Sequence, residues 1–196
     1  MREIILASQS PRRQELLKNI GVKFEIIKSD FCENISGIDD KPEKIAQQLA
    51  YGKAKDVSDK LDEGIILGAD TIVVFDGEIY GKPKDEEDAV RMLNNLSGKT
   101  HQVITGVALI DKKNDKTVVG HETTSVTFNK LTQDEIKAYI KSGDYIGKAG
   151  GYGIQNKGAI LINKIEGCYF NVVGLPINKV YQMLKELNEY VYKHWN

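Results

Sequence analysis

Residues 65–83, IILGADTIVVFDGEIYGKP, decide the fold. Ile65 to Phe75 are apolar on both alternating faces, the pattern of a central strand covered on both sides. Asp76-Gly77 is a two-residue hairpin signal that returns the chain along EIYG. Asp70 interrupts the run, sharing a face with Ile66, Ile72 and Val74. A carboxylate desolvated there costs several kcal/mol unless it is paired, hydrogen-bonded or metal-bound. A strand end opening into a cleft explains it; the alternative is a buried Asp satisfied by loop N–H groups. Gly68, two residues earlier, permits close backbone approach or a bulge. With the turn at Asp76-Gly77, Phe75 pairs with Glu78, and counting back sets Thr71 opposite Lys82. Cross-strand partners lie ~5 Å apart at Cβ, so a lysine returns to the neighbourhood of Asp70 and Thr71. Regular pairing puts Lys82 on the face of Thr71, while Gly81 and Pro83 leave the side open.

Upstream, residues 3–7 read as a buried strand, Pro11 to Ile20 as a helix stopped by Gly21, and 22–29 as an alternating strand. Residues 30–41 are polar and irregular. Pro42 opens a helix to about Leu61, with Ala46, Leu49, Ala50, Lys53, Ala54 and Val57 along one stripe. Downstream, 85–96 is a helix burying Ala89, Met92, Leu93 and Leu96, and 102–111 and 117–128 are long strands around the turn KKND. Thr132 and Glu135 form a capping box for a helix ending near Gly143. The glycine-rich stretch 147–158 leads into a strand GAILINKI, and a last helix from Pro176 carries Ile177, Val180, Leu184, Leu187 and Val191. This order implies an α/β fold with a mixed central sheet flanked by helices.

With 196 residues, the expectation is one domain over 1–196, burying about 70% of its unfolded surface. The 27 basic and 28 acidic residues give a net charge of −1, which argues against a nucleic-acid polymer as partner. Nothing approaches the ~18 apolar residues of a membrane span, and the N-terminus is too short in apolar residues for a secretion signal. Cys32 and Cys168 show no zinc-ligand spacing or activating base, so a cytoplasmic protein without disulfides is expected.

Ser10 is placed to cap the first helix, with Pro11 at its first position, so Arg12 and Arg13 fall in the first turn, where the helix dipole disfavours cations. A bound anion resolves the conflict, because free N–H groups and guanidinium forks both suit phosphate. The alternative is two solvated arginines paired to nearby carboxylates. Lys53 lies on the small apolar stripe of its helix, a position from which lysines often snorkel. Glu33 is uninformative alone, and the acidic run 85–88 complements a helix start. The loop GKAGGYGIQNKG is neither a Walker A motif nor a dinucleotide fingerprint, but it can fold over a ligand and present the Gln155 amide. His101 and His194 read as surface residues.

Taken together, LASQSPRRQELL, GADTIVVFDGEIYGKP with its following helix, LSGKTHQVITGVAL, AGGYGIQ and FNVVGLP closely resemble the Maf family, in order over essentially the whole chain. The resemblance implies an elongated mixed sheet with an active-site cleft, akin to inosine triphosphate pyrophosphatases. It implies hydrolysis between the α- and β-phosphates of a nucleoside triphosphate with a divalent metal, Mg²⁺ or Mn²⁺. Asp70 is then the proton acceptor, and Arg12, Thr71 and Gln155 occupy the substrate-discriminating positions. The combination resembles the dTTP/UTP-cleaving subgroup, with modified pyrimidine nucleotides left open. The alternatives are a 7-methyl-GTP pyrophosphatase and a non-catalytic nucleotide-binding regulator of septum formation. In the expected site, Arg12, Arg13, Lys53 and Lys82 neutralise the triphosphate, and Glu33 and Asp70 hold the metal. Many relatives have an acidic residue immediately before that glutamate; this chain has Cys32. Gln9 replaces a small residue in the arginine loop. A homodimer is left open.

Overall fold

The computed structural model describes residues 2–33 and 41–195. Part of the irregular stretch expected at 30–41 therefore lies outside the described residues. The elements are β1 (Ile4–Leu6), α1 (Pro11–Asn19), β2 (Phe24–Ile26), α2 (Pro42–Ser58), β3 (Ile65–Phe75), β4 (Glu78–Tyr80), α3 (Glu86–Leu96), β5 (Thr100–Asp111), β6 (Lys116–Phe128), α4 (Gln133–Lys141), β7 (Ile162–Glu166), α5 (Tyr169–Val173) and α6 (Ile177–Glu186). Among the described residues these build a seven-stranded mixed sheet of order β2-β1-β3-β5-β6-β7, with β4 paired to β3. β1 runs parallel to both β2 and β3, whereas β4 and β7 pair antiparallel with β3 and β6. The expected α/β class with a mixed central sheet is what the chain adopts. No described helix is long and apolar enough to cross a membrane.

Two compact units emerge. The first comprises residues 1–70, 105–122 and 174–196. Its core includes Ile5, Ala7, Ala50, Ala54, Val57, Ile66, Ala108 and Ile110. The small stripe of α2 has a clear purpose here. A Cβ at Gly68 would overlap the Ala50 carbonyl oxygen and lie 2.8 Å from the Ala54 nitrogen; one at Gly106 would overlap the Ala46 carbonyl and lie 2.6 Å from the Gln47 nitrogen. Helix α2 is thus seated directly on strand backbone at two points, which fixes its height and rotation. The unit is closed by Arg2, whose guanidinium bonds Asp111, the Leu187 carbonyl and Glu189. Trp195 lies over Gly21 and donates its indole N–H to the Ile20 carbonyl at 2.6 Å.

The second unit comprises residues 71–104 and 123–173. Its core joins Val73, Tyr80, Met92, Leu93, Leu96, Val103, Phe128, Ile136, Tyr139 and Tyr152. Asp76 and Gly77 both take positive φ, 53° and 78°, as a primed hairpin turn requires, and Phe75 pairs with Glu78 as the count demands. The capping box at Thr132 and Glu135 is present, and Asp85 caps α3 by accepting from the Asp88 N–H.

Several expectations change. Residues 22–29 pair only over Phe24–Ile26, because β2 ends the sheet order and has a ladder on one side. The strand expected from Gly158 begins at Ile162; residues 156–161 form a 3₁₀ turn, with Asn156 at φ 54° and Gly158 packed under the Gly153 carbonyl. The last helix stops at Glu186, and Val191 belongs to a separate 3₁₀ turn. His101 and His194 are buried, not on the surface. His101 packs edge-on against Phe128 and Tyr152, and His194 stands 3.7 Å from the Glu189 carboxylate.

Candidate active site

Helix α1 starts where the sequence places it, with Ser10 at the N-cap and Pro11 at the first position. Ser10 makes no side-chain cap bond and the first turn holds no acidic residue, so its N–H groups face an environment without a local carboxylate cap. Arg12 is half-buried and Arg13 buried. Arg13 donates from Nε to the Gly174 carbonyl at 2.8 Å and from Nη1 to Ser8 Oγ at 3.2 Å. Burial pulls the Arg13 pKa down; Asp70 and Glu33 push it back up, and Arg12 works against them. A guanidinium stays protonated under such a shift, so Arg13 is a fixed cation held in place by a backbone carbonyl and a hydroxyl.

Asp70 is the sixth residue of β3 and is buried mid-strand, not at a strand end. Its partner comes from α2: the Lys53 ammonium donates to Asp70 Oδ1 and stands 2.7 Å from Glu33 Oε1. Neither alternative read from the sequence, loop N–H groups or an open strand end, accounts for the carboxylate; a buried ammonium does. Lys53 is there because Gly68 and Gly106 let α2 descend onto the sheet, so its side chain meets Asp70 instead of snorkelling outward.

Glu33 arrives on a loop clipped to the same helix. The far end of the Phe31 ring covers Gly52, where a Cβ would overlap it, and Asp56 accepts from the Asp30 N–H at 2.8 Å and from Ser29 Oγ at 2.9 Å. One helix therefore positions the lysine and docks the loop that supplies the second carboxylate. Glu33 keeps 40% of its side chain exposed, against 10% for Asp70, so the buried acid is fixed and the other faces water.

The donor chemistry fits a hard divalent cation. Asp70 and Glu33 are hard oxygen donors that converge on one cationic point, the Lys53 ammonium. One or two carboxylates with the remaining positions left to water and phosphate is how Mg²⁺ is usually held.

Residues 3–187 match the family described as Maf-like protein. This chain belongs to the Maf-like family. It is 57% identical over 193 residues to a dTTP/UTP pyrophosphatase of Ruminiclostridium cellulolyticum, covering 98% of this chain and 100% of that one. It is 50% identical to a dTTP/UTP pyrophosphatase of Acetivibrio thermocellus, covering 98% and 99% of the two chains. Among solved structures, the Ham1 protein of Staphylococcus aureus aligns over 82% of this chain and 80% of its own, at 18% identity and a TM-score of 0.47.

In this Maf-like chain, Arg13, Lys53, Asp70 and Glu33 come together within the first unit, with Arg12 next to Arg13 in α1. Thr71, Lys82 and Gln155 belong to the second. Thr71 follows Asp70 directly in β3 and is half-buried. The Thr71–Lys82 pairing does not form: the ladder ends at Val73–Tyr80, and the Gly81 carbonyl turns to accept the Gly150 N–H at 3.0 Å. Lys82 is exposed beyond that bend. The same bond ties the segment carrying Lys82 to the glycine-rich segment carrying Gln155. Sequence reading missed Ser8, Gly174, Phe31, Gly52 and Asp56. A glycine and an aspartate one position before and three after a lysine on a small-residue stripe are the signal for the loop clip; the anchors of Arg13 have none.

Proposed function

We propose that this chain is a nucleoside triphosphate pyrophosphatase that hydrolyses dTTP and UTP to the nucleoside monophosphate and pyrophosphate. The observation that carries the reading is the buried Lys53 ammonium joining Asp70 to Glu33 beside the fixed Arg13 guanidinium. Its substrate assignment is supported by the printed activity of relatives at 57% and 50% identity over nearly whole chains.

Phosphoanhydride cleavage expels a stabilised anion, so catalysis needs positioning and charge compensation more than a covalent nucleophile. Arg12 and Arg13, in the first turn of α1, bind phosphate oxygens, and Lys53 and Lys82 add to that charge compensation. Arg13 enters the reaction pre-oriented by Gly174 and Ser8, so it loses little freedom on binding. Asp70 orients the attacking water and takes its proton; Lys53 fixes the orientation of the carboxylate by donating to Oδ1. Mg²⁺ or Mn²⁺ held by Asp70 and Glu33 would supply polarisation of phosphoryl oxygen and a lower water pKa. Gln155 offers one donor and one acceptor to the imide edge of uracil or thymine, and Thr71 adds a hydroxyl on the strand next to the reacting carboxylate. The activity belongs to a cytoplasmic enzyme acting on free nucleotides.

The deciding experiment is pyrophosphate release from a panel of common and modified nucleoside triphosphates, 7-methyl-GTP included, with Asp70→Asn alongside wild type. Turnover of dTTP and UTP should fall ~10²–10⁴-fold in the variant. Wild-type release by Asp70→Asn removes Asp70 from its role. Preferential 7-methyl-GTP cleavage, or tight binding without turnover, replaces the substrate assignment or the enzyme reading.

A further inference from the structure

Among the buried polar residues of the second unit, the mechanism above gives no task to His101. His101, in β5, is 2% exposed, and its Nε2 lies 2.7 Å from the Tyr152 hydroxyl. Its Nδ1 is buried without a hydrogen-bond partner. Phe128 stacks edge-on against both rings, at centroid distances of 5.0 Å to His101 and 4.7 Å to Tyr152. An imidazole with one nitrogen unsatisfied is an expensive core residue, since a phenylalanine of similar size would fill the space without that cost. What it gains is a single directed hydrogen bond to Tyr152.

Tyr152 lies in the middle of the glycine-rich segment. Gly150 and Gly151 before it take φ of 69° and 72°, left-handed conformations that suit glycine, and the Gly151 N–H closes a turn onto the Lys148 carbonyl at 3.1 Å. Three further bonds tie the segment to other parts of the unit. The Gly150 N–H reaches the Gly81 carbonyl, the Tyr152 hydroxyl reaches His101, and the Gly153 N–H donates to the Tyr139 hydroxyl at 3.3 Å. Gln155 follows two residues later in extended conformation, φ −84° and ψ 166°. Of the three restraints, only the Tyr152 bond runs to a buried side chain of a sheet strand.

We propose that His101 is a positioning residue for base selection: through Tyr152 it sets the backbone that presents the Gln155 amide. The inference rests on the reading that Gln155 meets the pyrimidine ring. Burial keeps the imidazole neutral, lowering its pKa to about 4, so the bond persists across the working pH range. Loss of one neutral hydrogen bond, about 1 kcal/mol, corresponds to roughly a 5- to 10-fold effect on discrimination.

The test compares dTTP with dGTP in wild type, Tyr152→Phe, His101→Phe, His101→Gln and the double variant Tyr152→Phe/His101→Phe. Tyr152→Phe keeps the ring and deletes only the hydroxyl, so it retains the fold. KM for dTTP should rise roughly 5- to 10-fold with kcat altered less than about twofold, and the dTTP/dGTP ratio of kcat/KM should fall by the same factor. The double variant should be no worse than either single change, as groups sharing one bond require. His101→Gln, whose amide still reaches the hydroxyl, should restore most of the ratio. A dTTP/dGTP ratio unchanged in both Tyr152→Phe and His101→Phe, with only the melting temperature lowered, overturns the inference while leaving the pyrophosphatase reading intact. A wild-type protein that releases pyrophosphate from no nucleoside triphosphate overturns both.

Discussion

Gly68→Ala tests the geometry on which the site is built. The added methyl would lie 2.8 Å from the Ala54 nitrogen and 2.9 Å from the Ala54 Cβ, and it would overlap the Ala50 carbonyl. Ordinary contacts begin near 3.5 Å and the overlapped Ala50 carbonyl is closer than either Ala54 atom, so α2 must retreat by about 1 Å. The obstructing atoms are helix backbone, which cannot turn aside as a long side chain would. Overpacking of this kind costs typically ~1–3 kcal/mol, and the rigid obstruction puts Gly68→Ala toward the upper part of that range. Lys53 sits between Ala50 and Ala54 on the displaced helix, so its ammonium moves relative to Asp70, and a shift of about 1 Å in a catalytic array can lower turnover ~10²-fold. Urea unfolding followed by far-ultraviolet circular dichroism measures the first quantity and pyrophosphate release the second. Gly81→Ala is the stability control: a methyl there meets nothing within 4 Å, and the change should stay within about 0.5 kcal/mol. If Gly68→Ala unfolds within about 0.5 kcal/mol of wild type and keeps full turnover, close seating of α2 does not place Lys53.

Lys53→Met keeps the stem and deletes the charge, leaving the buried Asp70 without its ammonium; unfolding should cost ~3–5 kcal/mol less than in wild type, and Asp70→Asn in the same background should recover part of that loss. Arg2→Ala strips the counter-ion from Asp111 and Glu189, both nearly buried, and should lower stability by roughly 2 kcal/mol or more in thermal unfolding. Burial alone would raise the Asp111 pKa, but its Asn114 bonds and Arg2 together hold it below the usual range. Its contribution is therefore present above about pH 4 and lost as pH falls through the lower folded value, a loss Arg2→Ala should blunt. His101 works through the opposite charge. Its pKa drops to about 4 by burial, so the unfolded chain binds the extra proton first as pH falls from about 6.5. Wild-type stability should decline across that window, by roughly 3 kcal/mol at most, and His101→Phe should flatten the slope of the unfolding midpoint against pH.

The elements that carry their own local chemistry were legible. Asp76-Gly77 supplied the hairpin register, Gly21 the stop of α1, Thr132 and Glu135 the capping box, and the double-faced apolar run the whole of β3. Lys53 was marked only by its place on a stripe of small residues, a position from which lysines snorkel; that it meets Asp70 instead depends on how closely α2 is seated. What could not be read depends on atoms far apart in sequence. Arg13 finds the Gly174 carbonyl 161 residues away, and Phe31 finds Gly52 only once the helix exists. A lone histidine in an alternating strand carries no mark of burial, so the aromatic cluster around His101 was invisible before Tyr152 came to meet it. The ladder beyond Tyr80 failed for the same reason, because Gly81 is claimed by Gly150.

Trp195 is the sequence's sole tryptophan, seated on Gly21 with its indole N–H held by Ile20. The molecule thus carries a built-in optical label, placed at the C-terminal turn of the first unit and nowhere else. Emission excited selectively through the indole follows detachment of that turn. Circular dichroism follows the helices and strands as an ensemble, so any gap between the two curves measures how far the tail lets go before the sheet does.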